Sequence, residues 1–108
     1  MPIDIKAVFT ELEGKVVDLA KTSFKKRAKE AEEDGKDILS ILKDDLIRWT
    51  ELLVDGKLTK GEFEVLLIGQ KDLVKMTALK ESGLTLARID EFKSAVFDLI
   101  FDTISNLI

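Results

Sequence analysis

Residues 84–108, LTLARIDEFKSAVFDLIFDTISNLI, decide the fold. On a helical wheel with about 100° between successive residues, the polar side chains of this stretch fall on one narrow strip, and apolar side chains cover about two-thirds of the circumference. An ordinary surface helix has an apolar stripe little more than about 100° wide. This helix is therefore predicted either to lie at the centre of the fold or to bind a partner.

A well-marked turn separates this stretch from a preceding helix. Gly83 suits the left-handed position that ends a helix, so the C-terminal helix is predicted over residues 85–107. The third helix is predicted over residues 60–81, because Thr59 and Glu62 have the Thr-x-x-Glu spacing of a capping box. The two helices are expected to form an antiparallel hairpin.

Two more helices are predicted in the first half of the chain. Apolar residues three and four apart place the first over residues 4–33 and the second over residues 37–54. Residues 25–34 are almost all charged, with only small alanines on the apolar side, so this end of the first helix is predicted to project into solvent. The alternative is that Gly35 lies within one long helix, which gives a three-helix variant.

Together these elements predict an all-α fold. Short connections make consecutive helices antiparallel neighbours, so we expect an up-down-up-down antiparallel four-helix bundle whose first helix projects past the others. A chain of 108 residues has the size of one domain. Its one proline and six isolated glycines indicate no flexible linker. Residues 1–108 are therefore predicted to form a single helical-bundle domain.

The composition excludes several chemical roles. The chain has no cysteine and no histidine, which removes disulfides, thiolate chemistry, the commonest general base and the commonest transition-metal ligand. No nucleophile stands at a recognisable spacing from a base. We therefore predict no catalytic, metal-binding or cofactor-binding residue, and we expect a protein that is not an enzyme and needs no cofactor.

Charge and hydropathy bear on partners and location. A net charge of −4 does not favour nucleic acid, which binds basic surfaces. The basic cluster at residues 25–29 is followed at once by acidic residues and has no interleaved aromatics, so it is interpreted as a solvated helix end. A cytoplasmic location is expected, because the N-terminal sequence does not resemble a signal peptide and no apolar run approaches the ~20 residues of a membrane span.

One short motif resembles part of a metal site. Residues 55–63, DGKLTKGEF, look like the second half of an EF-hand calcium loop. The first and third ligand positions of such a loop would fall on Glu51 and Leu53, and a leucine side chain has no oxygen to donate. Helix-ending and helix-capping roles explain the same residues, so no calcium site is predicted.

The last two predicted helices carry more apolar surface than a monomeric four-helix bundle buries. The main apolar face of the third helix consists of Phe63, Leu66, Leu67, Leu73, Val74 and Thr77. A second apolar strip lies opposite that main face, and the C-terminal helix is apolar on most sides. A patch of this kind favours self-association, most simply a two-fold dimer in which the patch meets itself. The alternative is that these helices are simply more central in the fold. The candidate interaction surface consists of Val65, Ile68, Met76, Phe97, Phe101, Ile104 and Ile108.

Two charged residues interrupt apolar helix faces. Asp45 lies on the apolar face of the second helix and Lys93 on that of the fourth, each about eight residues from its helix start. Because an unpaired buried charge is very costly, we expect the two to pair or to be neutralised at a subunit interface. The alternative is that Lys93 extends its stem over apolar surface to reach water.

These features favour a non-enzymatic interaction module, such as an adaptor, scaffold or regulatory subunit. It is expected to present apolar helix faces to a second copy of itself or to another protein. The alternative is a peripheral membrane-interface protein that inserts the C-terminal amphipathic helix into a bilayer surface. The acidic polar side of that helix, with Asp98 and Asp102, disfavours this alternative.

Overall fold

The structure is a computed structural model that describes residues 4–107, and every regular element in that range is a helix. The helix that follows the well-marked turn packs against each of the other four. It therefore has a central position, which is one of the two alternatives that its wide apolar surface predicts. The five helices are α1 Ile5–Ser23, α2 Ala28–Val54, α3 Lys60–Lys71, α4 Thr77–Glu81 and α5 Leu86–Ser105.

The first helix ends ten residues earlier than predicted. The Asp4 carboxylate accepts a hydrogen bond from the backbone N–H of Ala7 at 3.2 Å, which caps the start of α1, and Ser23 is its last residue. Phe24 then takes an extended conformation and is buried, with its ring 5.4 Å from that of Phe92 in an edge-to-face arrangement. The free energy gained by burying this ring against α5 outweighs the free energy that extending the helix would provide.

The charged segment is consequently not a projecting overhang. The second helix begins at Ala28 and runs straight through Gly35, so the prediction of a helix break there was wrong. Ala31, Asp34 and Gly35 are all buried, because this part of α2 packs against α1. The small residues Ala31 and Gly35 permit close helix approach, a role that the many charged residues around them conceal.

Gly35 is a point of close approach between α2 and α1. A Cβ atom added at Gly35 would clash with the Val16 side chain. We expect Gly35→Ala to lower the free energy of unfolding by about 1–3 kcal/mol, the usual cost of overpacking a core. Gly14→Ala is the matched control, since Gly14 is an exposed helical glycine with no atom within 4 Å of the added Cβ. Urea denaturation should show that this control is unchanged or stabilised by up to about 1 kcal/mol.

The third predicted helix is two helices. The chain leaves α3 after Lys71 and begins α4 at Thr77, so one continuous helix over residues 60–81 was wrong. Val74 and Met76, in the connection, are both buried. Residues two apart point to nearly opposite sides of a helix, about 200° apart, so an unbroken helix would leave one of them exposed.

The turns before α3 and after α4 have the conformations that the sequence predicts. Gly56 and Gly83 have φ angles of 72° and 86°, as expected for glycines that end helices. The Thr59 hydroxyl accepts from the Glu62 backbone N–H at 3.1 Å, and the Glu62 carboxylate accepts from the Thr59 N–H at 2.9 Å, which confirms the capping box. The hydrogen bond from the Thr59 backbone N–H to the Glu62 carboxylate lowers the pKa of that carboxyl.

Two side chains from other helices form long-range hydrogen bonds with the segment between α3 and α5. The buried Asp34 carboxylate accepts hydrogen bonds from the backbone N–H groups of Ala78, at 2.9 Å, and Leu79, at 2.8 Å. Asp34 thereby caps α4 from a different helix. The Lys93 ammonium donates to the Val74 carbonyl oxygen at 2.7 Å. These contacts supply partners for backbone groups that the helix break would otherwise leave unpaired.

Candidate interaction surface

α3 has one buried face and one exposed apolar face. Phe63 and Leu67 are buried against the rest of the fold. Val65 and Ile68 point away from it and are 70% and 56% exposed. Because residues three apart are neighbours on a helix, these two side chains form one apolar patch. We call the exposed side of the helix the outer face of α3, and it consists of Gly61, Val65, Ile68, Gly69 and Asp72.

An aromatic cluster fixes the direction of this face. The Phe63 ring lies edge-on to Trp49 of α2, with ring centroids 6.2 Å apart. It also stacks on Phe101 of α5, at 5.7 Å. Since α3 is anchored on its inner side to two other helices, its outer face is held toward solvent and is not covered by another part of residues 4–107.

The two ends of α3 differ in shape. Beside its first turns lies an open groove of about 540 Å³, whose apolar lining comes from Leu58, Val65 and Leu66. Gly61 forms part of this groove and carries no side chain to fill it. Just beyond the other end, Leu73 is 71% exposed and is therefore a projecting apolar side chain. The helix thus presents a groove at one end and a knob at the other.

Two charged side chains, Glu64 and Lys71, lie on one flank of α3. Glu64 is exposed and Lys71 is half-buried. Within residues 4–107, neither forms an ion pair. The two are seven residues apart, which places them on the same side of the helix and about two turns from each other. An acidic group near one end and a basic group near the other are therefore available to a partner.

The structure divides the residues of the candidate interaction surface into several groups. Val65 and Ile68 are exposed, as a surface requires. Phe101 is partly buried beneath α3, and Ile108 lies outside the described residues. Met76, Phe97 and Ile104 are buried in the core, and their assignment to a surface was wrong for this chain.

The misassigned residues have two physical origins. Phe97 and Ile104 belong to α5, which is central because four helices pack around it, so most of its apolar circumference is internal. Met76 was placed on the outer strip by extending α3 as a regular helix. The break after Lys71 turns Met76 into the core instead.

The predicted charge pair between Asp45 and Lys93 is replaced by two separate contacts. The Asp45 carboxylate accepts a hydrogen bond from the Arg48 guanidinium at 2.8 Å, within α2 itself. Lys93 uses its ammonium group on the Val74 carbonyl. The helix break explains this difference, because it supplies Lys93 with a carbonyl acceptor in the α3–α4 connection.

Other parts of the surface were not found from the sequence. Leu66 and Leu73 were both assigned to the buried face of a continuous third helix, yet they are 39% and 71% exposed. Gly61 and Gly69 are eight residues apart, with Val65 midway, so all three lie on one side of a helix. This spacing is the sequence signal that indicates close approach by another element.

Comparisons with known protein families, with curated proteins and with solved structures found no match. Over residues 4–107, none of the helices combines the length and the apolar character needed to cross a bilayer. The same part of the chain contains no group of three or more acidic side chains arranged to hold a metal ion.

Proposed function

We propose that this protein is a non-enzymatic helical interaction module that self-associates through the outer face of α3. The observation that carries the proposal is the exposure of Val65 and Ile68 on a helix whose opposite side is fully packed. Burial of exposed apolar area is the main driving force for association. Its role would be that of an adaptor, scaffold or regulatory subunit whose apolar helix face recruits a second copy.

The fold that we propose for this function is a four-helix bundle in which the third helix is interrupted. In it, α3 and α4 together take the place of a single helix beside α1, α2 and α5. The interruption leaves α3 free to present its outer face, because the connection after Lys71 carries the chain back to the core. The expected cytoplasmic location remains a prediction.

The structure removes the main support for the membrane alternative. That alternative requires a free apolar face on the C-terminal helix. In α5 most of the large apolar residues face the core, among them Phe92, Val96 and Ile100, whereas Leu86 at its start is exposed. A bilayer would have to compete with that packing, so we retain protein–protein association as the proposed function.

Ile68→Asp is expected to shift the protein from dimer toward monomer. A carboxylate in the middle of an apolar contact loses hydration without gaining a partner, and the two-fold arrangement introduces that cost twice. Ile41→Asp is the matched control, because Ile41 is 62% exposed on α2, outside the outer face of α3. Sedimentation velocity of the two variants at equal concentration measures the difference.

Circular dichroism of both variants should match that of the parent, because each residue is exposed. Equal loss of association in the two variants would show that the contact is not specific to α3. No loss in Ile68→Asp at a concentration where the parent is dimeric would place the interface elsewhere.

A further inference from the structure

The groove and the knob of α3 are complementary to each other but lie at opposite ends of the helix. Leu73 cannot reach the groove of its own chain, because the separation along the helix is about 15 Å or more. A second copy can supply it only if the two helices run in opposite directions. Parallel helices would place groove beside groove and knob beside knob.

We propose that two copies pair through the outer faces of antiparallel α3 helices, related by a two-fold axis that crosses the contact at the level of Leu67 along the helix, an inference that rests on the self-association proposed above. In this register Leu73 of one copy enters the groove over Gly61 of the other. Val65 of each copy lies opposite Gly69 of its mate, and the Ile68 side chains flank the axis. The contact is self-complementary, as two-fold symmetry requires.

The glycines on the outer face support this register. An added Cβ would meet nothing within 4 Å at Gly69, and at Gly61 only the Thr59 hydroxyl at 4.0 Å. Neither glycine has a positive φ. Within residues 4–107, therefore, neither packing nor backbone geometry requires glycine at these two positions. Glycine inside a helix is less stable than alanine. Close approach by the Val65 and Leu73 side chains of a second copy provides a reason for its presence.

The charges on the flank formed by Glu64 and Lys71 also favour antiparallel pairing. At the ends of the contact, by contrast, the same register brings Asp72 of one copy to the level of Glu62 of the other, a like-charge contact that weakens the pair. The two-fold axis brings Glu64 of one copy within about one residue's rise of Lys71 of the other, and it does so on both sides of the axis. Neither group forms an ion pair within residues 4–107. In a parallel two-fold arrangement Glu64 and Lys71 of different copies would lie about two turns apart along the helix and on opposite flanks, so neither charge would meet its opposite.

The size of the contact predicts weak association. α3 has 12 residues and is about 18 Å long. Stable protein interfaces bury about 1,200–2,000 Å², more than one short helix pair with its groove provides. We therefore expect a dimer in the micromolar range, whose population depends on concentration.

Charge reversal tests the orientation. Glu64→Lys and Lys71→Glu should each weaken dimerisation about tenfold, because each change places two like-charge contacts across the axis. The double variant with both changes should recover most of the affinity of the parent. Sedimentation equilibrium over a series of concentrations measures the three dissociation constants.

Gly69→Ala tests the close approach with effects of opposite sign. The added methyl group should raise the melting temperature of the monomer, since helical alanine is favoured over glycine. It should weaken dimerisation at least about tenfold, because the methyl group occupies the place of Val65 of the second copy. Gly14→Ala is the control, as it adds a methyl group to an exposed site on α1 with no neighbour within 4 Å. It should raise the melting temperature and leave dimerisation unchanged.

The outcomes separate this inference from the proposed function. A parent protein that dimerises, with no recovery in the double charge variant or no effect of Gly69→Ala, overturns the antiparallel register and leaves self-association through α3 in place. A parent protein that stays monomeric overturns both. Recovery together with a selective effect of Gly69→Ala supports the register.

Discussion

Phe63→Ala is expected to lower the free energy of unfolding by about 3–5 kcal/mol, the range found when a buried phenylalanine is truncated. Phe63 is fully buried and lies between the rings of Trp49 and Phe101. The substitution therefore removes apolar burial and both aromatic contacts, and it leaves a cavity where three helices meet. Urea denaturation followed by circular dichroism measures the change.

Val65→Ala is the matched control on the opposite side of α3. Val65 is 70% exposed, so its truncation should change monomer stability by no more than about 0.5 kcal/mol. Similar losses in the two variants would contradict the assignment of one buried and one exposed face. The comparison should be made at a concentration where the protein is monomeric, since association stabilises the folded state.

Asp34→Ala is expected to lower the free energy of unfolding by about 2 kcal/mol. The change leaves the N–H groups of Ala78 and Leu79 without their acceptor, and both a lost cap and an unpaired buried donor have costs of this order. Asp34→Asn keeps the shape but retains only one acceptor oxygen, so it should lie between the parent and the alanine variant.

The effect of Asp34→Ala should be localised at α4. Amide hydrogen exchange of Ala78 and Leu79 should accelerate more than that of residues in the middle of α1, because the removed carboxylate accepts from those two N–H groups. Uniform acceleration throughout the protein would contradict a capping role. It would indicate general destabilisation of the core instead.

The stability contributed by Asp34 should also depend on pH. Burial raises the pKa of its carboxyl above the ordinary value of 3.8, against the opposing effect of the hydrogen bonds from Leu79 and Ala78, and the charges of Asp37 and Glu81 raise it further. The folded state therefore binds this proton more tightly than the unfolded state. The contribution grows as pH falls through the window between the two pKa values, and it is lost as pH rises through it.

Parallel urea titrations of the parent and Asp34→Ala test this sign. The difference in free energy of unfolding between the two proteins should be larger near pH 4 than near pH 7. A difference that shrinks on acidification would contradict the raised pKa. It would indicate that the ionised carboxylate is the form stabilised by folding.

Local sequence rules predicted much of the fold. The capping box, the left-handed glycines and the ends of α2 and α5 agree with the structure to within two residues, apart from the start of α2. These features depend on residues close together in the chain. The all-α class follows from apolar periodicity, which also reflects local spacing. The same periodicity left open whether α5 is central or binds a partner.

The errors arose where distant residues decide the conformation. The break after Lys71 is stabilised by Asp34 and Lys93, which belong to two other helices. No local sequence pattern predicts either contact. The burial of Gly35 depends on the approach of Val16 from α1. Once the break was missed, the buried residue Met76 was assigned to the surface and the exposed residue Leu73 to the core.

The predicted exposure of two residues of the candidate interaction surface agrees with the structure. Val65 and Ile68 were assigned to an apolar strip opposite the core, and both are exposed. That pair lies in the regular part of α3, where helical periodicity holds. The groove at Gly61 and the projection of Leu73 depend on the ends of the helix, so they could be identified only from the structure.

Sedimentation equilibrium of the unsubstituted protein tests the central claim most directly. The proposed self-association predicts a weight-average mass that rises from one chain toward two as the concentration increases from about 1 µM to about 1 mM, the range in which a micromolar dimer forms. A mass that stays at one chain throughout would contradict it.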